Sequence, residues 1–139
     1  MFSNTIKIRV NYSHTDKMGY VYYGNYPEFY ETGRTELFRS IDLSPAELEK
    51  MGIMLPVRKL QAEYISPAYY DELIEVKTCL IDYSPLRINL HTEIFNSSGK
   101  LINRGEIQLI FVDIHTGKPK RAYDICKKIK QNIMHYEKK

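Results

Sequence analysis

Residues 12–39 read YSHTDKMGYVYYGNYPEFYETGRTELFR, and the second half of this stretch decides the fold. Apolar or small residues recur there every three or four positions, at Tyr26, Phe29, Tyr30, Gly33, Leu37 and then Ile41. This spacing predicts a helix from about Asn25 to Ser40 with one apolar face, Pro27 in its first turn and Asn25 as its cap. Gly33 lowers helix propensity, so its place on the buried face indicates that another backbone packs close to it.

The segments on either side of this helix alternate between apolar and polar residues, as strands do. Upstream, the alternation predicts a first strand through Ile6, Ile8, Val10 and Tyr12. Downstream, Ser44 and Glu47 form a capping box for a short second helix that Gly52 ends. In the extended stretch that follows, the apolar positions change parity after Val57, which predicts a β-bulge near Arg58 or Lys59.

Three further strands complete the predicted sheet. Their apolar alternation covers residues 74–80, 86–94 and 100–113, with the turn residues NSSG at 96–99. Ile125, Ile129 and Ile133 stand at helical spacing and predict a closing helix. One long helix followed by a run of strands predicts an α+β domain, with the helix packed on one antiparallel sheet.

The opening stretch also carries a motif that spans the loop and the helix. Its members are Tyr12, Thr15, Asp16, Gly19, Val21, Tyr22, Tyr23 and Tyr26, followed by Arg34, Thr35 and Glu36. In order and spacing they resemble the signature of the 4-hydroxybenzoyl-CoA thioesterase family, which includes the Tol-Pal-associated acyl-CoA thioesterases, and residues 57–68 look like the family's central strand. The resemblance implies a hot-dog fold, in which an antiparallel sheet wraps around a long central helix, as one domain over residues 1–139.

The activity implied by the resemblance is hydrolysis of an acyl-CoA to a carboxylic acid and free CoA, without a cofactor. Asp16 is then the catalytic carboxylate, acting either as nucleophile on the thioester or as general base on water. The backbone N–H groups of Tyr23 and Gly24 lie near the predicted helix start, where unpaired donors and partial positive charge can polarise a carbonyl. Many family members carry histidine at the position of Tyr23, so a histidine-assisted proton transfer is not expected here.

Substrate contacts are expected at six further residues. Gly19 permits the turn that aims Asp16, and Val21 and Tyr26 belong to the same motif. Arg58, Lys59 and Arg87 are candidates to meet the phosphates of CoA. The resemblance further implies a homodimer with sites at the subunit interface, and a tetramer built from it, so Arg58 and Lys59 are also candidates to serve the neighbouring subunit's site.

The sequence also allows other catalytic residues and other functions. Glu31 on the helix is an alternative base, since some hot-dog thioesterases place their carboxylate there, whereas His14 is interpreted as a bystander. Cys79 is not expected to be a nucleophile, because no base is paired with it in the sequence. Two alternative functions are hydrolysis of acyl groups on an acidic acyl carrier protein and non-catalytic binding of acyl-CoA, although a binder gains nothing from a carboxylate facing an anionic ligand.

Composition limits the remaining function classes. The formal charge of +3 is too small to indicate nucleic acid binding. Cys79 and Cys126 match no metal or redox spacing and fit a reducing cytoplasm, and the four histidines form no metal motif. No signal peptide is recognised at the N-terminus, and no run approaches the ~18 apolar residues of a membrane helix. We therefore expect a cytoplasmic protein without a metal.

Overall fold

A five-stranded antiparallel sheet carries the long helix. The computed structural model describes residues 2–137, with side chains to residue 134. In chain order the strands are β1 (Ser3–Arg9), β2 (Ile53–Met54), β3 (Val57–Tyr64), β4 (Leu73–Tyr83), β5 (Arg87–Phe95), β6 (Leu101–Ile110) and β7 (Val112–Asp113). The large sheet has the order β1-β4-β5-β6-β3, and β2 pairs with β7 separately. The predicted α+β architecture is confirmed.

The helices agree closely with the periodicity. Helix α1 is Tyr26–Arg39, α2 is Pro45–Lys50 and α3 is Tyr123–Glu137. The Ser44 hydroxyl accepts the Glu47 N–H at the start of α2, and Gly52 follows the helix with a φ of +73°. Ile125 and Ile129 of α3 are buried. No helix among the described residues has the length and apolarity needed to cross a bilayer.

Helix α1 lies on a row of small side chains that crosses the sheet. Thr78, Thr92, Gly105 and Ala62 stand opposite one another on β4, β5, β6 and β3. A Cβ on Gly33 would lie 2.6 Å from the Thr78 hydroxyl and 3.0 Å from a Val76 methyl. The close neighbours of Gly33 are therefore strand side chains, and the prediction of an approaching backbone was wrong.

The strand boundaries differ from the sequence prediction at three places. Tyr12 is exposed in a 3₁₀ turn over Tyr12–His14, because β1 ends at Arg9. Leu86 is exposed before β5 begins. The last long strand stops at Ile110, and the chain continues into β7, which pairs with β2.

Strand β3 is an edge strand with unusual exposure. The register shift between Val57 and Lys59 confirms the predicted bulge. All eight residues of β3 are exposed, whereas the strands at the centre of the sheet alternate between buried and partly exposed residues. One edge of β3 pairs with β6, and the other has no strand beside it within the described chain.

Candidate active site

Asp16 lies at the tip of a short hairpin between β1 and α1. Thr15 and Val21 pair across this hairpin, and the Asp16 N–H donates to the Tyr20 carbonyl at 3.1 Å. Gly19 turns the chain with a φ of +86°, a conformation that other residues rarely adopt, and its N–H donates to the Asp16 carbonyl. The Met18 N–H donates to Asp16 Oδ1 at 2.9 Å. The turn thus holds one carboxylate oxygen and leaves Oδ2 without a partner among the described residues.

The amino end of α1 is preceded by a 3₁₀ turn over Tyr23–Asn25. Within the described residues, the N–H groups of Tyr23 and Gly24 make no hydrogen bond to the surrounding loops and turns. Asn25 occupies the N-cap position of α1, as predicted, but its side chain makes no capping bond and its amide donates instead to the His14 carbonyl at 2.8 Å. The helix start therefore presents free donors and the positive end of its dipole.

A cavity of about 380 Å³ lies between the Asp16 hairpin, the helix start and the end of β3. Its walls are formed by Asp16, Met18, Tyr20, Val21, Tyr23, Tyr26, Tyr64, Ile65, Ser66 and Pro67. The structure thus places four of the predicted site residues around one space: Asp16, Val21, Tyr23 and Tyr26. Gly19 and Gly24 adjoin this wall in the chain without lining it.

Aromatic rings form much of the cavity wall. The rings of Tyr26 and Tyr64 meet edge to face with centroids 5.3 Å apart, and the Tyr64 hydroxyl donates to the Tyr23 carbonyl at 3.0 Å. Burial raises the pKa of Tyr26, and a hydrogen bond from the Ala68 backbone opposes this shift only in part. Tyr26 is therefore a neutral phenol at physiological pH.

Sequence reasoning did not single out the wall from Tyr64 to Pro67 as part of the site. The available signal was the Ser66-Pro67 break immediately after a strand, because loops that follow strands often carry binding residues. Tyr64 shares its parity with Leu60 and Ala62, but the sequence does not show that α1 begins beside it.

The predicted CoA-binding cations lie apart from this cavity. Arg58 is exposed on β3, where its guanidinium donates to Gln108 Oε1 at 2.7 Å. Lys59 lines a second groove with Gln108, which stands opposite it on β6. Arg87 is exposed at the start of β5. None of the three lines the Asp16 cavity of the same chain.

The alternative catalytic groups are also elsewhere. Glu31 lines another cavity, between α1 and α2, together with Arg34. Burial lowers the pKa of Arg34, and Glu31 partly offsets that shift. Burial raises the pKa of the Cys79 thiol, which therefore stays protonated and is a poor nucleophile. The described residues include no group of three or more potential metal-ligating side chains.

His14, which the sequence suggests is a bystander in the chemistry, is buried in the structure. Its side chain is only 6% exposed and packs on Phe29 of α1. Its Nδ1 accepts the Asn11 N–H at 2.9 Å. The residue therefore belongs to the framework that joins the Asp16 hairpin to the helix.

Comparison with known proteins gives a consistent result. Residues 10–131 match the model of the thioesterase-like superfamily. Over 113 residues, the chain is 34% identical to YneP of Bacillus subtilis, covering 81% of this chain and 82% of that protein. It is 33% identical over 113 residues to the acyl-CoA thioester hydrolase YbgC of Escherichia coli, covering 81% and 84%.

A solved structure extends the likeness to the whole chain. The DHNA-CoA thioesterase of Staphylococcus aureus superimposes with a TM-score of 0.89 at 35% identity, covering 100% of this chain and 97% of that one. The predicted hot-dog fold is confirmed by this match.

Proposed function

Because the chain belongs to the thioesterase-like superfamily and is a thioester hydrolase, we propose that it hydrolyses acyl-CoA with Asp16 as its catalytic carboxylate. The products are a carboxylic acid and free CoA. The names of the related proteins support the acyl-CoA substrate. The role of Asp16 is supported by one observation, which is that Asp16 and Tyr23 line the same cavity at the amino end of α1.

In the proposed reaction the start of α1 stabilises the carbonyl oxygen, and the Asp16 hairpin supplies the carboxylate. The thioester carbonyl oxygen approaches the N–H groups of Tyr23 and Gly24, which stabilise the negative charge that develops there. Asp16 Oδ2 approaches the carbonyl carbon from the hairpin, while Oδ1 stays fixed by the Met18 N–H. Loss of a single oxyanion donor lowers rates by ~10²–10³ in other enzymes, so these N–H groups can contribute substantially.

Two routes satisfy this geometry. In the first, Asp16 Oδ2 bonds to the acyl carbon, the carbon–sulfur bond breaks, CoA leaves as thiolate, and water then hydrolyses the mixed anhydride. In the second, Asp16 removes a proton from a water molecule that attacks the carbon directly, after which the carbon–sulfur bond breaks, CoA leaves as thiolate and the carboxylic acid is released. Rapid quenching followed by mass spectrometry of the Asp16 peptide distinguishes them, because only the first route adds the mass of the acyl group.

We also propose that the acyl group is aromatic. The rings of Tyr23, Tyr26 and Tyr64 surround the cavity, and aromatic groups pair favourably edge to face with such walls. The Staphylococcus aureus relative is a DHNA-CoA thioesterase. A panel of aromatic and straight-chain acyl-CoAs tests this proposal, which is contradicted if kcat/KM is highest for a straight-chain substrate.

The proposed active unit is a homodimer, with a tetramer built from it. The free edge of β3 and its eight exposed residues support this assembly, since an exposed edge strand is a ready template for pairing with another chain. In such a dimer Arg58 and Lys59 can reach the partner's substrate. Light scattering tests the assembly, and a monomer that retains full activity contradicts it.

The decisive experiment measures free thiol release from acyl-CoAs by wild-type protein and by Asp16→Asn. We expect kcat to fall at least 10³-fold in Asp16→Asn, with the mass checked to exclude deamidation back to aspartate. Asp124→Asn is the matched control, because Asp124 is an exposed carboxylate on α3, and it should retain full activity.

Three outcomes contradict the proposal in different ways. Full activity in Asp16→Asn removes the catalytic assignment. Hydrolysis of acyl groups only when they are carried by acyl carrier protein changes the substrate. Binding of acyl-CoA without any thiol release identifies a binding protein instead of an enzyme.

A further inference from the structure

We propose that His14 is a positioning residue for thioester hydrolysis, because its side chain fixes its own backbone carbonyl, which in turn holds the segment that presents the Tyr23 and Gly24 N–H groups. This inference rests on the proposed function, since positioning has meaning only if those N–H groups polarise a substrate carbonyl. It assigns a role to a histidine that does not line the cavity.

The His14 carbonyl oxygen fixes both ends of the segment. It accepts the Tyr22 N–H at 2.9 Å and the Asn25 side-chain amide at 2.8 Å. These two donors flank Tyr23 and Gly24 in the chain. The position of one oxygen atom therefore sets the position of both candidate oxyanion donors.

The imidazole in turn fixes that carbonyl. Its Nδ1 accepts the Asn11 N–H at 2.9 Å, and its ring meets Phe29 edge to face with centroids 4.9 Å apart. A ring that accepts at Nδ1 carries its proton on Nε2. That nitrogen lies 3.5 Å from Glu28 Oε1 in the first turn of α1.

These contacts join three parts of the site through one buried side chain. Asn11 precedes the 3₁₀ turn, Phe29 and Glu28 belong to α1, and Asp16 follows His14 by two residues. Catalytic groups must be held within a fraction of an ångström of their productive geometry, so a link between hairpin and helix affects turnover more than substrate binding.

Substitutions at His14 separate this role from simple packing. Asparagine can place its side-chain oxygen near the position of Nδ1 and still accept the Asn11 N–H, whereas glutamine carries its amide one bond further out. Both are polar, and neither retains the ring. A positioning role therefore predicts that asparagine rescues activity better than glutamine does.

The experiment measures kcat and KM for the best acyl-CoA substrate, with thermal midpoints for each protein. We expect His14→Ala to lower kcat at least 10-fold and to change KM less than 3-fold, and His14→Asn to recover most of kcat. Ile129→Val, in the buried face of α3, is the control for mild destabilisation and should keep its kcat.

Asn25→Ala removes the second hydrogen bond to the His14 carbonyl, the one donated by the Asn25 amide. Asn25 is half-buried, so the fold should tolerate the change. Asn25→Ala should lower kcat about 3- to 10-fold, and its effect should be smaller in the His14→Ala background, since residues acting through one hydrogen-bond network are coupled. Equal activity in His14→Asn and His14→Gln, or an unchanged kcat in Asn25→Ala, overturns the proposal.

Amide hydrogen exchange gives a readout that needs no turnover. Exchange at the Tyr22 N–H should be at least 10-fold faster in His14→Ala or His14→Gln than in wild type, with no such change in Ile129→Val. Unchanged exchange at Tyr22 overturns the role of His14 while leaving the proposed function intact. Absence of thiol release by wild-type protein overturns the proposed function itself.

Discussion

The middle of α1 and its amino end differ sharply in how they are packed. In the middle, Tyr30 is fully buried against Gly105, and Gly33 sits on Thr78. At the amino end, Tyr22 is 44% exposed and Tyr23 is 64% exposed, beside the open cavity. The helix is thus clamped to the sheet one to two turns away from its open end, so donors at that end can be fixed in place and still be reachable by a substrate.

The largest expected difference between the two regions is the effect of adding one methyl group. In Gly105→Ala the new Cβ would lie 2.8 Å from ring carbons of Tyr30, whose hydroxyl donates to Asn103 and whose ring is enclosed. We expect this overpacking to lower the free energy of unfolding by about 3 kcal/mol.

Gly24→Ala is the matched substitution at the open end. Its Cβ would lie 2.6 Å from the ring of Tyr22, which is closer than in Gly105→Ala, but that ring is partly exposed and can turn aside. We expect a loss below about 0.5 kcal/mol. Urea unfolding of both variants at one protein concentration measures the contrast, and equal losses would show that the amino end is as rigid as the middle.

Removing one tyrosine hydroxyl beside the middle of α1 should cost more stability than removing one beside its amino end. Tyr30→Phe deletes the donor to the buried Asn103 carbonyl, which water cannot reach, and should cost about 2 kcal/mol. Tyr64→Phe deletes the donor to the Tyr23 carbonyl at a site where Tyr64 is 49% exposed, and should cost less than about 0.5 kcal/mol. Chemical denaturation measures both, and the contrast disappears if Tyr64→Phe proves as costly as Tyr30→Phe.

The tightly packed region was also the region that the sequence predicted best. Periodicity placed α1 within one residue at each end, and parity identified the buried faces of β4 and β5. The bulge before Lys59 followed from one change of parity. These features depend on local spacing and on which side chains avoid water, and both can be read from neighbouring residues.

The open region depends on contacts between distant residues. Asparagine is a residue type that often caps helices with its side chain, yet the Asn25 amide donates to the carbonyl of His14, eleven residues earlier. Charge type alone suggested Arg58, Lys59 and Arg87 as CoA-binding residues, but it carries no information on their distance from Asp16. The proposed role of His14 likewise depends on its contacts with Asn11 and Phe29, which its place in the sequence does not reveal.

Residues 69–72 lie beside the Asp16 hairpin, since Tyr69 pairs with Tyr20 and the Tyr70 N–H donates to the Gly19 carbonyl. Glu72 accepts N–H groups from Tyr69 and Ser97 and the Ser97 hydroxyl at 2.8–3.1 Å, which ties residues 69–72 to the β5–β6 turn. Burial acts to raise the pKa of Glu72, but these hydrogen bonds outweigh it and lower the pKa below the ordinary 4.5. The ionised form therefore stabilises the fold fully above pH 4.5, and this contribution is lost as the pH falls through the lowered pKa.

Glu72→Gln should accordingly lower the free energy of unfolding by about 1 kcal/mol at neutral pH, a figure reduced for solvent screening. The difference between the two proteins should shrink as the pH falls well below 4.5. Urea unfolding at neutral and acid pH measures it. A difference that stays constant with pH would mean that the glutamate acts through packing and not through its charge.

A modest effect of opposite sign, a gain in stability, is expected in the tightly packed region. Thr92 is fully buried between Thr78 and Gly105, and its hydroxyl has no hydrogen-bond partner there. Thr92→Val keeps the shape of the side chain and removes the unpaired polar atom, so it should raise the free energy of unfolding by about 0.5–1 kcal/mol. Thermal and urea unfolding measure this gain. Stabilisation by valine supports the conclusion that the Thr92 hydroxyl is unpaired and costs stability. Destabilisation by valine would instead show that the Thr92 hydroxyl has a hydrogen-bond partner in solution, for example a trapped water molecule. The contact between the middle of α1 and the sheet would then admit water, and the contrast with the open amino end would be weaker.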